Sequence, residues 1–467
     1  MENDNYLKMR NVYSLNYSDA IVFMSSSEKI DTALTNRILL KTINVKVNIK
    51  AKAKKTLAFS LGCTRDEQEL LSLKNKYSNL DNVINELDIV KKDWEKTLGV
   101  IKVKTNDESF NYVMNGWYLY QTLSSRIMAK AGYYQVSGAF GYRDQLQDSM
   151  NISFIKPDLS RKQLIINASH QFMEGDVLHW WHEQNHFGLR SRYKDDFLWL
   201  VYATVEYVQT TGDYAVLDEQ IPFVKAPKLE SYQHELGVVF EYTEEKKSLL
   251  DHCILSIEYS KSQLGSHGIP LMGGGDWNDG MNLVGIKGKG ESVWLGFFLY
   301  NIIDRFIELL EKLNMDTSSY VSFNKKLKKS LNENTWDGDY YLRAFFDNGD
   351  PLGSHLNDEC KIDLISQSFS ILSDVVPNNK KEQVIGSVEK NLVDKENNII
   401  KLLDPPFEKS KNNPGYIMNY PKGIRENGGQ YTHSTSWYIM ALIKAGLYDK
   451  AYEYYQMINP VNRTLTK

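Results

Sequence analysis

Two carboxylates flank a tryptophan in a glycine-rich stretch near the middle of the chain. The stretch reads GIPLMGGGDWNDGMN, and its chemical groups are Asp276, Trp277 and Asp279. Cleavage of a glycosidic bond needs an acid that protonates the leaving oxygen, and a nearby ring can raise a carboxyl pKa by excluding water. An Asp-rich turn, or a metal loop with oxygen ligands, fits the spacing equally well.

Two further segments combine glycine with charged side chains. GAFGYRDQLQDSM spans residues 138–150, and GIRENGGQYTH spans residues 423–433. Charged side chains form strong hydrogen bonds to sugar hydroxyls, and arginine also binds phosphate well. A salt-bridged loop is the alternative interpretation of the first segment. The candidate residues in the two segments are Arg143, Asp144, Asp148, Arg425, Glu426 and His433.

A third segment, GLRSRYKDDFLWL, places Asp195 and Asp196 directly before an apolar run that is typical of a helix. Either carboxylate could serve as the helix cap, and the other is then free to bind a ligand. We retain Asp196 as the candidate sugar-binding residue.

The pattern His182-Glu183-Gln184-Asn185-His186 matches the HExxH signature of zinc peptidases. That signature works in the middle of a helix, with a third ligand downstream. Here Gly188 follows two residues later, and no HxxGxxH extension exists. The alternative is an aromatic loop lined with histidines. We therefore expect no metal at this motif and keep a zinc peptidase as a minor hypothesis.

The elements that must hold these groups change character along the chain. Residues 1–64 predict strands with one buried face, from the alternation at Ile43–Ala53 and again at Leu57, Phe59 and Leu61. Residues 65–104 predict a helical linker with acidic residues in its first turn. Residues 105–467 are dominated by helical patterns separated by long loops, which predicts a helical toroid. The predicted helices are 110–128, 161–172, 196–209, 247–260, 293–313, 362–372, 381–392 and two between 434 and 457, and the predicted loops are 131–149, 175–194, 265–290 and 403–431.

Composition restricts the function classes. The net charge of −4, with both signs mixed, gives no electrostatic reason to expect nucleic acid or an anionic membrane as partner. Three widely spaced cysteines indicate no disulfide framework, and the polar N-terminus lacks a signal-peptide stretch. No run is long enough to span a membrane. We expect a cytoplasmic protein.

Taken together, the motifs resemble the inverting disaccharide phosphorylases. That family includes the cellobiose, chitobiose and β-1,2-oligoglucan phosphorylases and the phosphorylase domain of cyclic β-1,2-glucan synthase. The resemblance rests on ordered blocks across some 300 residues: YQVSGAFGYRDQLQD, DVLHWWH, RYKDDFLWL, GGGDWNDGMN, GESVWLGFFLY and GIRENGGQYTH.

The resemblance implies a mainly α fold, an (α/α)6 barrel preceded by a helical linker and a partial β-sandwich. It also implies that Asp279 is the general acid and that Trp277 lines the sugar subsite. Inorganic phosphate is then a co-substrate, with no other cofactor, and a β-linked gluco-oligosaccharide is the partner. The implied sugar-binding residues are Arg143, Asp144, Asp148, Asp196, Trp277, Arg425 and Glu426, and the implied phosphate-binding residues are His433 and Arg143.

Against that family, the chain is shorter at both ends, so we expect an incomplete sandwich and a barrel that lacks its C-terminal end. Relatives are often homodimers. The alternatives are an inverting glycoside hydrolase with Glu426 as base, and an inactive sugar-binding remnant. An inverting hydrolase needs a second carboxylate roughly 6.5–9.5 Å from the acid, whereas a phosphorylase does not, because phosphate is already an anion.

Overall fold

The computed structural model describes residues 6–10, 20–34, 41–129 and 138–464. It divides into two compact units, Met1–Lys102 and Val103–Lys467. The first unit holds short strands followed by two helices, and the second is mainly helical.

Among its described residues, the first unit has two small antiparallel sheets. Strand β2 lies between β1 and β5, and β3 pairs with β4. Helix α1 is capped by the Asp66 side chain, and α2 is capped by the Asn79 side chain. The strands are β1 (Tyr6–Arg10), β2 (Ile21–Ser26), β3 (Asp31–Leu34), β4 (Lys41–Asn44) and β5 (Phe59–Thr64), and the helices are α1 (Glu67–Tyr77) and α2 (Leu80–Leu98).

The strand predicted from the alternation at residues 43–53 is wrong beyond Asn44. Residues 45–57 form no strand, and an alternating pattern becomes a strand only where a neighbour completes its hydrogen bonds. The predicted buried face of β5 is also wrong, because Phe59 is 57% and Leu61 is 75% exposed. The covered face of β5 is the opposite one. Helix α1 packs against β2 and β5, and the Phe23 ring lies against Gly62.

The second unit is built mainly from helices of 9 to 20 residues. The segment 108–128, here α3, joins four helical pieces of which Val113–Trp117 and Thr122–Met128 are π-helical. The remaining helices are α4 (Tyr142–Met150), α5 (Pro157–Ala168), α6 (Asp196–Thr211), α7 (Leu249–Lys261), α8 (Val293–Lys312), α9 (Ser318–Asn334), α10 (Leu364–Leu372), α11 (Asn378–Asn391), α12 (Thr432–Lys444), α13 (Tyr448–Ile458) and the short α14 (Pro460–Thr464).

These helices alternate between two layers. Helices α4, α6, α8, α10 and α12 pack side by side in sequence order and form the inner layer. Helices α5, α7, α9, α11 and α13 each pack outside the inner helix that precedes them along the chain. The inner helices are buried along most of their length, because they meet neighbours on several sides. The predicted mainly α fold with an (α/α)6 barrel is confirmed.

Two helices and one hairpin depart from the sequence prediction. Helix α4 falls within a predicted loop, because its buried face is polar and shows no apolar period. Helix α9 was not predicted, because its few buried residues are spaced among lysines. The predicted loop at 175–194 contains the hairpin of β7 (Leu178–His182) and β8 (Phe187–Ser191).

The loops carry further short strands. The four-stranded sheet has the order β10-β8-β7-β6, and β9 pairs with β11. No helix among the described residues is long and apolar enough to cross a bilayer. The other strands are β6 (Phe140–Gly141), β9 (Gln220–Lys225), β10 (Glu235–Val239), β11 (Glu241–Ser248), β12 (Glu291–Ser292), β13 (Ala344–Phe345), β14 (Pro351–Leu352), β15 (Ile362–Asp363), β16 (Val393–Asp394), β17 (Ile399–Ile400) and β18 (Leu403–Asp404).

Candidate active site

Asp276, the first carboxylate of the DWND turn, is fully buried and serves as an anchor. Both terminal nitrogens of Arg343 bind its carboxylate, at 2.6 and 2.7 Å, and the Ser292 hydroxyl donates to it at 2.6 Å. The Asn278 backbone N–H donates to the same carboxylate at 3.1 Å. Arg343 Nε also lies 3.5 Å from the Asp363 carboxylate. This network holds the turn in place from behind.

Asp279, the second carboxylate, is more exposed than Asp276. It opens a short 3-10 turn, Asp279–Met281, and its side chain is 31% exposed. Both of its oxygens lie 3.0 Å from Nη2 of Arg143. Burial raises the pKa of Asp279, and the charges of Arg143 and His179 oppose that rise. A carboxyl group with a raised pKa in a protein cavity can act as a general acid.

Arg143 joins three of the sequence blocks at one point. It lies in the first turn of α4 and is almost fully buried. Its Nη1 donates to the Asp195 carboxylate at 3.1 Å, while Nη2 binds Asp279. Asp195 also accepts a hydrogen bond from the Trp199 indole at 3.0 Å and makes no side-chain cap for α6. Asp195 therefore fixes the guanidinium, which leaves the other arm of Arg143 facing Asp279.

The RYKDD and GGGDWND blocks are joined through their backbones. The Lys194 N–H donates to the Gly275 carbonyl at 3.0 Å, and the Gly274 N–H donates to the Arg192 carbonyl at 3.1 Å. Gly275 has a φ of 142°, and a Cβ there would lie 2.5 Å from the Tyr193 ring. Glycine is required at this position because the two chains approach so closely.

Asp196 is buried and binds a histidine. Its carboxylate lies 2.7 Å from His179 Nδ1, and the His179 ring stacks on Tyr193 with centroids 4.5 Å apart. Burial lowers the pKa of His179, but the ion pair with Asp196 more than offsets it and raises the pKa to about 9. His179 is thus a cation at neutral pH. Asp196, predicted to bind sugar, is placed to orient this histidine.

The His179–Asp196 pair predicts a pH-dependent stability. The histidine pKa is 6.5 in its ordinary state and about 9 when folded, so the pair stabilises the fold fully below pH 6.5. That contribution is lost as pH rises from 6.5 through 9. The melting temperature of His179→Gln should fall below that of the wild type most at pH 6, and the gap should narrow towards pH 9.5. The exposed His355→Gln is the control, and a gap that widens with pH would contradict the assignment.

Trp277 forms the inner wall of the site together with a histidine. Its side chain is 8% exposed and meets Tyr431 and His433 edge-on, at centroid distances of 5.4 and 5.2 Å. His433 is solvent-exposed, although the surrounding protein atoms lower the pKa of its imidazole to about 4. Arg143 is a permanent cation in the same region.

The two carboxylates that follow Arg143 differ in their partners. Asp144 is partly exposed, and one of its oxygens lies 3.8 Å from Arg143 Nε. Asp148 accepts a 2.8 Å hydrogen bond from Arg126 of α3. Burial raises the pKa of Asp148 to about 7, although Arg126 opposes it. Asp144 thus joins the Arg143 cluster, whereas Asp148 is paired with α3.

Arg425 and Glu426 lie at the rim of the same region. Their side chains form an ion pair of 3.3 Å, and the Arg425 guanidinium stacks over Tyr420 at 4.6 Å. The carboxylates of Glu426 and Asp279 both act on the Tyr416 hydroxyl and raise its pKa, after the larger effect of burial. The RENGG, YRDQ and DWND segments therefore lie around a shared site, as the proposed chemistry requires.

The HExxH pattern does not lie on a helix. His182 ends β7, and His186 lies in the turn before β8 with a φ of 51°. Glu183 accepts hydrogen bonds from the Trp181 indole at 3.1 Å and the Tyr242 hydroxyl at 2.8 Å. The hairpin lacks the helical i, i+4 geometry that a zinc peptidase needs. Within the described ranges, no three His, Cys, Asp or Glu side chains are grouped to hold a metal ion.

Sequence reasoning missed three residues that the structure places at or behind the site. For Asp195, the sequence left open whether the carboxylate caps the helix or binds a ligand, and it did not indicate the ion pair with Arg143. His179 lies in the DVLHWWH block, but nothing in that block indicates an acidic partner 17 residues later. Arg343 lies outside every motif, and only the fold brings it to Asp276.

The helical barrel and the pairing of Asp279 with Arg143 fit the type of domain that the sequence predicted, and comparison with known families specifies it. Residues 93–466 match the Glycosyl hydrolase 94 superfamily, catalytic domain, and the chain belongs to this superfamily. The resemblance found in the sequence is confirmed.

Relatives in this superfamily include synthases and phosphorylases. The chain is 38% identical to cyclic beta-(1,2)-glucan synthase NdvB of Rhizobium meliloti over 90% of its own length and 15% of that protein. It is 30% identical to solabiose phosphorylase of Paenibacillus borealis over 77% of this chain and 43% of that one. It is 25% identical to N,N'-diacetylchitobiose phosphorylase of Vibrio proteolyticus, over 87% and 51%. The chain thus spans about half or less of the length of these relatives.

Proposed function

We propose that this protein cleaves a β-linked gluco-oligosaccharide by inverting phosphorolysis and releases α-glucose 1-phosphate. The supporting observation is the pairing of Asp279, whose pKa is raised by burial, with Arg143, whose orientation Asp195 fixes. A proton donor and a cation that can bind phosphate then lie side by side. The names of the phosphorylase relatives support the same reaction.

In the proposed reaction, a phosphate oxygen bonds to the anomeric carbon from the face opposite the leaving group. The bond from that carbon to the bridging oxygen breaks, and Asp279 gives its proton to the departing oxygen. Attack from the opposite face inverts a β-glucoside to an α-phosphate. Arg143 neutralises charge on the incoming phosphate, while Trp277, Asp144 and Glu426 line the sugar pocket.

A hydrolase on the same barrel is the second candidate, with Glu426 as the base that activates water. In the structure, the Glu426 carboxylate already has a cationic partner, because one of its oxygens lies 3.3 Å from Arg425 Nε. The names of the phosphorylase relatives favour phosphate over water as the attacking group. Action in the cytoplasm and as a homodimer remain predictions from the sequence.

Phosphate dependence tests the proposal. The protein is incubated with β-1,2- and β-1,4-linked glucose oligomers, with and without inorganic phosphate, and the products are separated by anion-exchange chromatography. We expect α-glucose 1-phosphate to form only with phosphate, and Asp279→Asn to form little. Release of free glucose at the same rate without phosphate would favour the hydrolase. Oligomer binding without any product would indicate a sugar-binding remnant.

A further inference from the structure

We infer that Tyr416 is the platform for the sugar on the leaving-group side of the cleaved bond, the acceptor in the reverse reaction. This inference rests on the proposed function, because it assumes that Asp279 protonates the bridging oxygen. It assigns a residue that determines acceptor binding, which the sequence motifs do not.

The backbone beside Tyr416 is fixed directly onto the turn that carries Asp279. The Leu283 N–H donates to the Pro414 carbonyl at 3.1 Å, and the Tyr416 N–H donates to the Asn282 side-chain oxygen at 3.1 Å. Gly415 has a φ of 126°, and a Cβ there would meet the Gly280 carbonyl at 2.5 Å. The position of Tyr416 relative to the acid is thus set by the backbone.

The residue after Tyr416 secures the other side. Ile417 is fully buried in a small core with Met281 and Val284, both from the segment after Asp279. A Cβ on Gly280 would lie 3.0 Å from Ile417, so the two turns are in close contact. Tyr416 is therefore held by its own backbone hydrogen bond to Asn282 and by the buried Ile417 that follows it.

Tyr416 offers exposed ring surface next to the acid. Tyr416 is 38% exposed, and its ring contact with Tyr420 is perpendicular, with centroids 6.1 Å apart. Its backbone N–H is bonded to Asn282, three residues after the acid, and after burial the charge of Asp279 raises the pKa of its hydroxyl further. In contrast, Trp277 is almost buried, and Tyr193 has one face covered by His179.

The burial of the residues on either side of Asp279 indicates where each of the two sugars binds. The unit that receives phosphate lies on the inner side of Asp279, where Arg143 and Trp277 are buried. The leaving sugar must reach solvent, so it lies on the outer side of the acid. A partly exposed tyrosine there has the amphipathic surface that stacks on the apolar face of a sugar ring.

Kinetics in the synthetic direction test the assignment. Phosphate release is followed with α-glucose 1-phosphate as donor and β-linked glucose oligomers as acceptor, for the wild type, Tyr416→Ala, Tyr416→Phe and the exposed control Tyr448→Ala. We expect Tyr416→Ala to raise the KM for the acceptor about ten-fold, as a loss of about 1.4 kcal/mol of stacking would. The KM for α-glucose 1-phosphate should stay within about two-fold, and Tyr416→Phe should behave like the wild type.

A binding measurement separates this inference from the proposed function. By calorimetry, Tyr416→Ala should weaken the binding of a β-linked glucose trisaccharide and leave that of α-glucose 1-phosphate unchanged. If Tyr416→Ala shows these binding changes but the wild type shows no turnover, the proposed function is rejected, and Tyr416 is then a contact for bound oligosaccharide rather than for a leaving group. Equal effects of Tyr416→Ala on both ligands, or no effect on either, would overturn the platform.

Discussion

Asp279→Asn should lower turnover of a natural β-glucoside about a thousand-fold while oligosaccharide binding persists. General acid catalysis contributes about 10²–10⁴ in rate, and an amide of the same shape has no proton to give. The amide oxygen of this variant could still accept a hydrogen bond from Arg143, so the cavity should keep its form. The measurement is kcat and KM for phosphorolysis of an unactivated oligomer.

A substrate with a better leaving group provides the control. An aryl β-glucoside with an acidic phenol needs little protonation, so Asp279→Asn should lose much less activity towards it. The pH profile should agree: the wild type needs Asp279 protonated, so turnover of the natural substrate falls as pH rises through the pKa of that group. The acid assignment fails if the variant keeps near-normal activity on a natural glucoside.

Arg343→Met should destabilise the barrel by about 3–5 kcal/mol, because it leaves buried carboxylates without their cation. Arg343 and its partners Asp276 and Asp363 are all fully buried. Loss of the guanidinium should also release the DWND turn and lower kcat, because Arg343 positions that turn through Asp276. The measurement is thermal unfolding followed by near-ultraviolet circular dichroism, together with turnover of the folded fraction.

Two matched variants keep this prediction testable. Arg305→Met removes a partly exposed arginine that pairs with Glu206, and such a pair contributes only about 0–1 kcal/mol. Adding Asp276→Asn to Arg343→Met should restore part of the lost stability, because it removes an unpaired charge. If Arg343→Met does not fold, Arg343→Lys is the second variant. It keeps the charge but loses the bidentate hydrogen bonds to Asp276, so its melting temperature should lie below that of the wild type. Melting of Arg343→Met at the wild-type temperature would refute the anchoring role.

The sequence predicted the fold where its periodicity reflects burial on one apolar face. Helices such as α6 and α8 are apolar along most of their length, and their predicted bounds lie within about two residues of those observed. Helix α4 was not predicted, because its buried residues include arginine, glutamine and serine as well as leucine and so show no apolar period. In β5, the alternation was real but the buried face was misassigned, because a helix covers the opposite side.

The candidate site, like the fold, was only partly predictable from the sequence. The sequence predicted Asp279, Arg143, Trp277 and the RENGG segment as site residues, because their types and order along the chain indicate the chemistry. It left the function of Asp196 open, since a carboxylate before a helix can cap, bind sugar or orient another residue. In the structure the Asp196 carboxylate contacts His179 of β7 and can orient it, while sugar binding by Asp196 stays a prediction.

By itself, the sequence predicted an acid, a cation and the class of bond they would act on, because its motifs and their order resemble those of a known family. Only the tertiary structure decided which groups meet: Asp195 with Arg143, Asp196 with His179, and Arg343 with Asp276. These pairs are 17 to 67 residues apart, and the packing of the barrel sets their distance. The pKa values follow from those distances and from burial, so they too were decided by the fold.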